Sequence, residues 1–155
     1  MHAAAAEIIA RLELQPHPEG GWYRQTWRAD AVGGERPGAT AIHFLLEAGQ
    51  VSHWHRVDAA EIWLWHAGAP ITLSLAPEDA GPVDVKTLGP DVLSGQSPQL
   101  VVPIGWWQSA VSQGDWTLVS CVVAPGFRFE GFELALPGWM PGAALDNTGT
   151  DGQAH

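Results

Sequence analysis

The chain has 155 residues, nine of them tryptophan, and its 7 basic and 17 acidic side chains give a formal net charge of −10. This charge argues against general binding to nucleic-acid phosphates, and the hydrophobic fraction of 46% argues against a disordered chain. No apolar run is long enough to span a membrane, and the single cysteine, Cys121, suits a reducing compartment. We therefore expect a cytoplasmic protein that binds neither nucleic acid nor membrane.

The predicted elements begin with one helix and continue as strands. Residues 3–14 form an amphipathic helix with Ile8, Ile9 and Leu12 on one face, and Pro16 prevents its continuation. Ten short segments of strand-forming residues follow, separated mainly by glycine and proline. They are Trp22–Arg28, Thr40–Leu46, Val51–Arg56, Glu61–Ala67, Ile71–Leu75, Val83–Leu88, Leu100–Val102, Trp106–Val111, Trp116–Ala124 and Phe129–Leu134.

This pattern predicts an all-β fold, a sandwich or barrel, with a short N-terminal helix. Residues 42–46 lack polar alternation, so we expect that strand to be covered on both faces, by the core and by a helix or a partner subunit. Residues 1–140 are predicted to form one domain. Residues 141–155 have no period and few apolar side chains, and we expect a flexible tail.

The densest cluster of chemically active side chains lies at residues 52–61. His53 and His55 are two apart in a predicted strand, so they should project from the same face. Glu61 begins the next strand, and a tight turn would bring its carboxylate to the same point. Two imidazoles and a carboxylate suit Fe, Mn, Ni, Co or Zn, while the alternative is a set of hydrogen-bonded groups in a wet pocket.

Three tryptophans flank these candidates. Trp63 and Trp65 share the strand face of Glu61, where a buried carboxylate needs a metal, a donor or an arginine partner. Trp106 shares a strand face with Gln108, whose amide oxygen either coordinates a metal weakly or hydrogen-bonds a ligand.

A further group follows the bend at Gly20-Gly21. Tyr23 is a candidate proton donor, and Arg24 is a candidate partner for a carboxylate or phosphate. The alternative is an ordinary turn and strand.

Two motifs carry a resemblance to a known family. His53-x-His55-x5-Glu61-x6-Gly68, followed by Pro103-x-Gly105-x2-Gln108, resembles the two-part signature of the cupins. Longer segments resemble one cupin subfamily of unassigned function and cover most of residues 7–136. They are His17-Pro-Glu-Gly-Gly-Trp-Tyr-Arg, Thr40-Ala-Ile-His-Phe-Leu-Leu, Trp54-His-Arg-Val-Asp, Glu61-Ile-Trp and Val123-Ala-Pro-Gly-Phe-x-Phe-Glu-Gly-Phe-Glu.

The resemblance implies a double-stranded β-helix, or jelly-roll barrel, with a metal or small-molecule pocket and a tendency to form homodimers. It implies a divalent-metal site of His53, His55, Glu61 and Gln108, in which Gln108 stands where cupins usually have a histidine. Only three residues separate Gly49 from His53, where cupins commonly have five. The candidate catalytic residues are Glu61 and Tyr23, and the candidate substrate-binding residues are Arg24, His43, Trp63, Trp65 and Trp106.

Three functions follow as hypotheses. The first is metal-assisted isomerase, epimerase or oxygenase-type chemistry on a polar, sugar-like or carboxylate-like small molecule. The second is a metal-free sugar epimerase in which a histidine is the base and Tyr23 the acid. The third is a binding or storage module that stacks its ligand on tryptophan without chemistry.

Overall fold

The structure, a computed structural model, describes residues 1–142. Within these residues lie one α-helix, α1 at Ala3–Leu12, eleven strands, and two short 3-10 helices at Val92–Ser94 and Phe129–Gly131. The strands are β1 (Gln15–Pro16), β2 (Trp22–Arg28), β3 (Thr40–Glu47), β4 (Val51–Val57), β5 (Ala60–Gly68), β6 (Ile71–Ala76), β7 (Asp84–Leu88), β8 (Gln99–Val102), β9 (Trp107–Ser112), β10 (Trp116–Ala124) and β11 (Phe132–Leu134). No helix in this part of the chain is long and apolar enough to cross a membrane.

The strands form two antiparallel sheets that pack face to face. The six-stranded sheet has the order β1-β2-β3-β10-β5-β8, and the five-stranded sheet has the order β11-β4-β9-β6-β7. Sequential strands alternate between the sheets in the middle of the chain, as expected for a jelly roll. The all-β prediction with a short N-terminal helix is confirmed.

The main core lies between the two sheets. Inward-facing side chains of β3, β5 and β10 meet those of β6 and β9 there, and each fully buried leucine or isoleucine contributes about 1.5–3 kcal/mol of burial free energy. The largest members are Trp63, Phe44, Leu46, Ile71, Leu73 and Leu75.

Helix α1 covers one part of the outer face of the six-stranded sheet. It begins after His2, whose Nδ1 accepts the amide N–H of Ala4 at 3.1 Å. Ala5 of the helix and Leu45 of β3 are fully buried in one apolar cluster on this outer face. Phe44 and Leu46 face the main core instead. The expected cover on both faces is therefore found at Leu45, where a helix of the same chain supplies it, while His43 on the same outer face is half-buried.

Three local features differ from the predictions. The helix ends at Leu12, because Glu13 adopts a left-handed conformation with φ 57°. The segment predicted as one strand at 129–134 is a short 3-10 turn at Phe129–Gly131 followed by β11. The two-residue strand β1 was not predicted. The predicted tail lies outside the described residues, except for positions 141 and 142.

Strand β4 contains a bulge that matters for the site. Ser52 pairs with Ala110 of β9, but His55, three residues later, pairs with Gln108, only two residues away from Ala110. One extra residue in β4 therefore interrupts the alternation of side chains between the two faces.

Candidate functional site

A cavity of about 240 Å³ opens at one end of the sandwich, between the two sheets. Its polar wall comes from the turn before β2 and from β2, β4, β5 and β10, through His17, Glu19, Tyr23, His55, Glu61 and Cys121. Its apolar wall is formed by Ile42, Val57, Val123, Phe127, Phe129 and Phe132. An enclosed apolar cleft with a few converging polar groups is the usual form of a small-molecule site.

The Gly20-Gly21 bend places two of the polar groups. Both glycines have positive φ, and a Cβ atom at Gly20 would overlap the carbonyl oxygen of Val51. The bend therefore packs closely on β4, and the backbone N–H of His53 donates to the carbonyl of Glu19 at 2.9 Å. This contact fixes the Glu19 backbone beside β4, and Glu19 lines the cavity.

Glu19 is buried between two imidazoles and a hydroxyl. Its Oε1 lies 3.4 Å from Nε2 of His55 and 3.4 Å from Nδ1 of His17, and the hydroxyl of Ser52 donates to its Oε2. Burial raises the pKa of Glu19 to about 8, against the weaker lowering effect of the Ser52 hydrogen bond. At neutral pH, Glu19 is therefore mainly a neutral carboxylic acid.

The hydrogen bonds assign a tautomer to each histidine. Nδ1 of His55 donates to the carbonyl of His53 at 2.7 Å, so Nε2 carries the lone pair that faces Glu19. Nδ1 of His17 accepts the backbone N–H of Glu19 at 3.0 Å, so the proton of His17 is on Nε2. Burial lowers the pKa of both rings, that of His17 to about 4, so both are neutral bases at pH 7.

Glu61 is held by a buried chain of hydrogen bonds. Nε2 of Gln108 donates to Oε1 of Glu61 at 2.8 Å, and the indole N–H of Trp63 donates to Oε1 of Gln108 at 2.8 Å. The Trp63 donor fixes the orientation of the amide, so Gln108 presents an NH₂ group and not a carbonyl oxygen to the cavity side. Burial raises the pKa of Glu61, while the neighbouring His55 and the Gln108 bond act in the opposite direction.

Of the predicted site residues, the structure brings Tyr23, His55 and Glu61 together at the cavity. The Tyr23 ring meets the edge of the His17 ring, with 4.4 Å between ring centroids. Gln108 lies directly behind Glu61 and is fully buried.

His53 does not join this group. Because of the β4 bulge, it does not project with His55, and its Nε2 donates to the carbonyl of Leu136 at 2.9 Å. It fastens the segment after β11 to the outside of the five-stranded sheet. The expectation that the two histidines share one face is corrected here.

The remaining predicted substrate-binding residues also lie away from the cavity wall. Arg24 is half exposed, and its Nη1 is 4.0 Å from Glu13. His43 pairs across the strands with Arg24 and Ser120 on the outer face of the six-stranded sheet. Trp63, Trp65 and Trp106 pack in or against the main core.

Sequence reasoning missed His17, Glu19 and the three cavity phenylalanines, Phe127, Phe129 and Phe132. The first two lie in the Gly-Gly segment, for which composition alone favours an ordinary turn and strand. The available signal was a pair of titratable side chains directly before two glycines, since glycines there permit close packing on a neighbouring strand.

The arrangement does not fit the predicted four-ligand metal site. His53 lies outside the cavity, and the Gln108 carbonyl oxygen is occupied by Trp63. Among residues 1–142, no group of three or more His, Cys, Asp or Glu side chains is arranged to hold a metal ion. What the cavity does offer is a protonated carboxyl, a second buried carboxyl and a neutral imidazole with an available lone pair.

Comparisons with known proteins agree with the fold and the motifs. A family model described as Cupin superfamily (DUF985) matches residues 6–135. A structure of a protein from Shewanella oneidensis is 40% identical, covers 84% of each chain and has a TM-score of 0.79. A hypothetical protein from Leishmania major is 32% identical over 84% of this chain and 86% of its own, with a TM-score of 0.77.

A more distant likeness concerns the fold alone. An oxalate decarboxylase variant from Bacillus subtilis is 13% identical over 77% of this chain and 29% of its own, with a TM-score of 0.59. No curated protein sequence matches this chain. The two-sheet jelly roll, the motif segments and the match over residues 6–135 together establish that the chain belongs to the cupin superfamily, in the family of unassigned function DUF985.

Proposed function

We propose that this protein binds a small polar molecule in its cavity and isomerises or epimerises it by proton transfer. One observation supports the proposal most strongly: Oε1 of Glu19 is 3.4 Å from the unprotonated Nε2 of His55, and Glu61 lines the same cavity. Titratable groups with perturbed pKa values in one cleft are typical of general acid–base sites.

The protonation states assigned to His55 and Glu19 suit such a reaction. Nε2 of His55 is a free base that can take a proton from a carbon next to a carbonyl group. Glu19 or Tyr23 can return a proton to the same carbon, or to its other face. The two transfers conserve atoms and electrons, and Glu61 stabilises the imidazolium that forms in between, because a nearby carboxylate favours the charged ring.

Deuterium incorporation tests this reaction without knowledge of the product. Sugars, hydroxy ketones and hydroxy acids that raise the melting temperature of the protein are incubated with it in D₂O. We expect deuterium at the carbon next to the carbonyl of at least one such ligand, measured by mass spectrometry. His55→Gln and Glu61→Gln should reduce the incorporation by about 10²-fold or more, the usual contribution of a general acid or base.

His53→Gln is the matched control, because His53 is in the same strand but bonds to Leu136. Equal losses in the His53 and His55 variants would contradict the proposed roles. Ligands that stabilise the protein but acquire no deuterium would support the third hypothesis, a binding or storage module.

The metal-assisted alternative has a separate test. Of its four predicted ligands, His55 and Glu61 face the cavity, so a metal there would need further donors from solvent or substrate. Metal analysis of the purified protein and of its His55→Ala variant tests whether the cavity binds a metal through His55. Stoichiometric metal that disappears in the variant would favour this alternative.

We also propose that two copies associate through the outer face of the six-stranded sheet. Helix α1 covers the part around Leu45, but Ile62, Leu64 and Val122 lie on the same outer face and are half-buried, and their neighbour Val101 is 53% exposed. Large contiguous apolar patches are uncommon on monomers. A cytoplasmic location and the lack of nucleic-acid binding stay predictions from composition.

A further inference from the structure

A second cavity adjoins the first. It has a volume of about 450 Å³ and shares Gln25, Phe127 and Phe129 with the inner cavity. We call it the vestibule, which is formed by Gln25, Arg28, residues 34–37 and residues 127–130. A ligand long enough to fill the inner cavity would leave its other end here.

The vestibule is rich in arginine in a chain that is poor in cations. The whole sequence has seven Lys and Arg residues against 17 acidic ones. Three of the seven, Arg28, Arg36 and Arg128, line this one cavity. Planar guanidinium groups are the side chains best suited to carboxylate and phosphate, since their paired N–H donors match two oxygens.

Two of these arginines are held in place by Asp58. Nη2 and Nη1 of Arg36 donate to the two carboxylate oxygens at 2.7 and 3.1 Å, and its Nε donates to the carbonyl of Gly126 at 2.7 Å. Nη2 of Arg128 lies 3.6 Å from Asp58. The Arg36 hydrogen bonds, with Arg128 nearby, hold the pKa of Asp58 below its usual range, so this carboxylate stays charged.

The other groups decide which donors remain for a ligand. Nε, Nη1 and Nη2 of Arg36 each donate within the protein, whereas the Arg128 side chain is 52% exposed. Arg28 forms no ion pair with any residue in the range 1–142. Two carboxylates, Glu35 and Glu130, also line the vestibule and oppose an anion through their charge.

We infer that the ligand carries an anionic group, a carboxylate or a phosphate, which Arg28 and Arg128 bind in the vestibule while its apolar part lies on Phe127 and Phe129. This inference rests on the proposed function, because it places the reacting end of the same ligand in the inner cavity beside His55. It adds the class of substrate: a molecule with an anion at one end and an exchangeable C–H group at the other.

Five small probes test the inference by NMR-monitored titration: benzoate, phenyl phosphate, benzamide, benzyl alcohol and benzylamine. We expect one of the two anions to bind at least about tenfold more tightly than the neutral probes, and benzylamine to bind most weakly. The preference for benzoate or for phenyl phosphate identifies the anion. Added salt should weaken the binding of the anion but not the binding of benzamide.

Charge variants localise the effect. Arg28→Gln and Arg128→Gln should each weaken anion binding about three- to fivefold, as for partly exposed ion pairs, and leave benzamide unchanged. Glu130→Gln should strengthen anion binding, because it removes a negative charge from the vestibule. Arg11→Gln is the control, since it makes the same charge change on helix α1, where Arg11 pairs with Glu7 at 2.7 Å.

Three results would overturn the inference. Equal binding of benzamide and both anions would overturn it while leaving the proposed cavity function standing. Equal effects of Arg11→Gln and Arg128→Gln would show a general charge effect in place of a site. If none of the five probes binds, the inference fails, whereas the proposed function is decided separately by the deuterium incorporation into sugars, hydroxy ketones and hydroxy acids.

Discussion

Glu19 is the residue whose chemistry depends most on the fold. In an unfolded chain its pKa is the ordinary 4.5, and in the folded protein burial raises it to about 8. The folded state therefore binds one more proton than the unfolded state between these values. The stabilisation linked to this proton is complete below pH 4.5 and is lost as the pH rises through about 8.

The pH dependence of unfolding checks this consequence. Above pH 6.5 the histidine contribution is small, because His17 has its ordinary pKa of 6.5 when unfolded and about 4 when folded. Between pH 6.5 and 8 the free energy of unfolding should fall by about 2 kcal/mol more in the natural protein than in Glu19→Gln, as measured with urea. Parallel curves for the two proteins would contradict the burial of an uncharged Glu19.

The element that sets this environment is the tight bend at Gly20-Gly21, packed on β4. A side chain at Gly20 meets the backbone of Val51, and φ is 110° there, so Gly20→Ala should destabilise the protein by about 2 kcal/mol. It should also release Glu19 and lower ligand binding. Gly33→Ala is the matched control, because Gly33 has φ 55° but no atom within 4 Å of its would-be Cβ.

Thermal unfolding and ligand titration of both variants measure this difference. Similar melting temperatures and similar affinities in the two variants would show that the bend does not position the site.

The strands themselves were largely predictable, since segments of strand-forming residues are separated mainly by glycine and proline. The bulge in β4 was not, because its extra residue depends on pairing with β9, and no local signal places it between Ser52 and His55. The role of Gln108 was hidden for a related reason. Its amide orientation depends on Trp63, a residue 45 positions away in the sequence.

At the scale of the whole molecule, the outer face of the six-stranded sheet sets the expected oligomer. Ile62→Glu places a charge at the centre of the apolar patch and should convert a dimer of about twice 16.6 kDa into a monomer. Light scattering coupled to size exclusion measures the mass. Lys86→Glu, on the five-stranded sheet, is the control and should stay dimeric. A natural protein that is monomeric at high concentration would contradict the proposed interface.

The tryptophans and the charged residues of the sequence can be located in the structure. Trp63 donates to Gln108 in the hydrogen-bond chain to Glu61, and Trp107 packs on Trp139 outside the five-stranded sheet, so these tryptophans do not line the cavity. The net charge of the chain is −10, yet three arginines line the vestibule. The charge of the ligand is therefore predicted from the local arrangement of charged side chains and not from the net charge of the chain.

We expect the cavity to hold a protonated carboxylic acid next to a neutral imidazole at physiological pH. Carbon-13 NMR of the side-chain carboxyl carbons, with assignments from Glu19→Gln and Glu61→Gln, measures this directly. We predict that Glu19 titrates with a midpoint near 8 and that Glu61 titrates above its ordinary value of 4.5. Titration of both carboxyls near 4.5 would contradict this prediction, because the cavity would then hold two carboxylates and no acid.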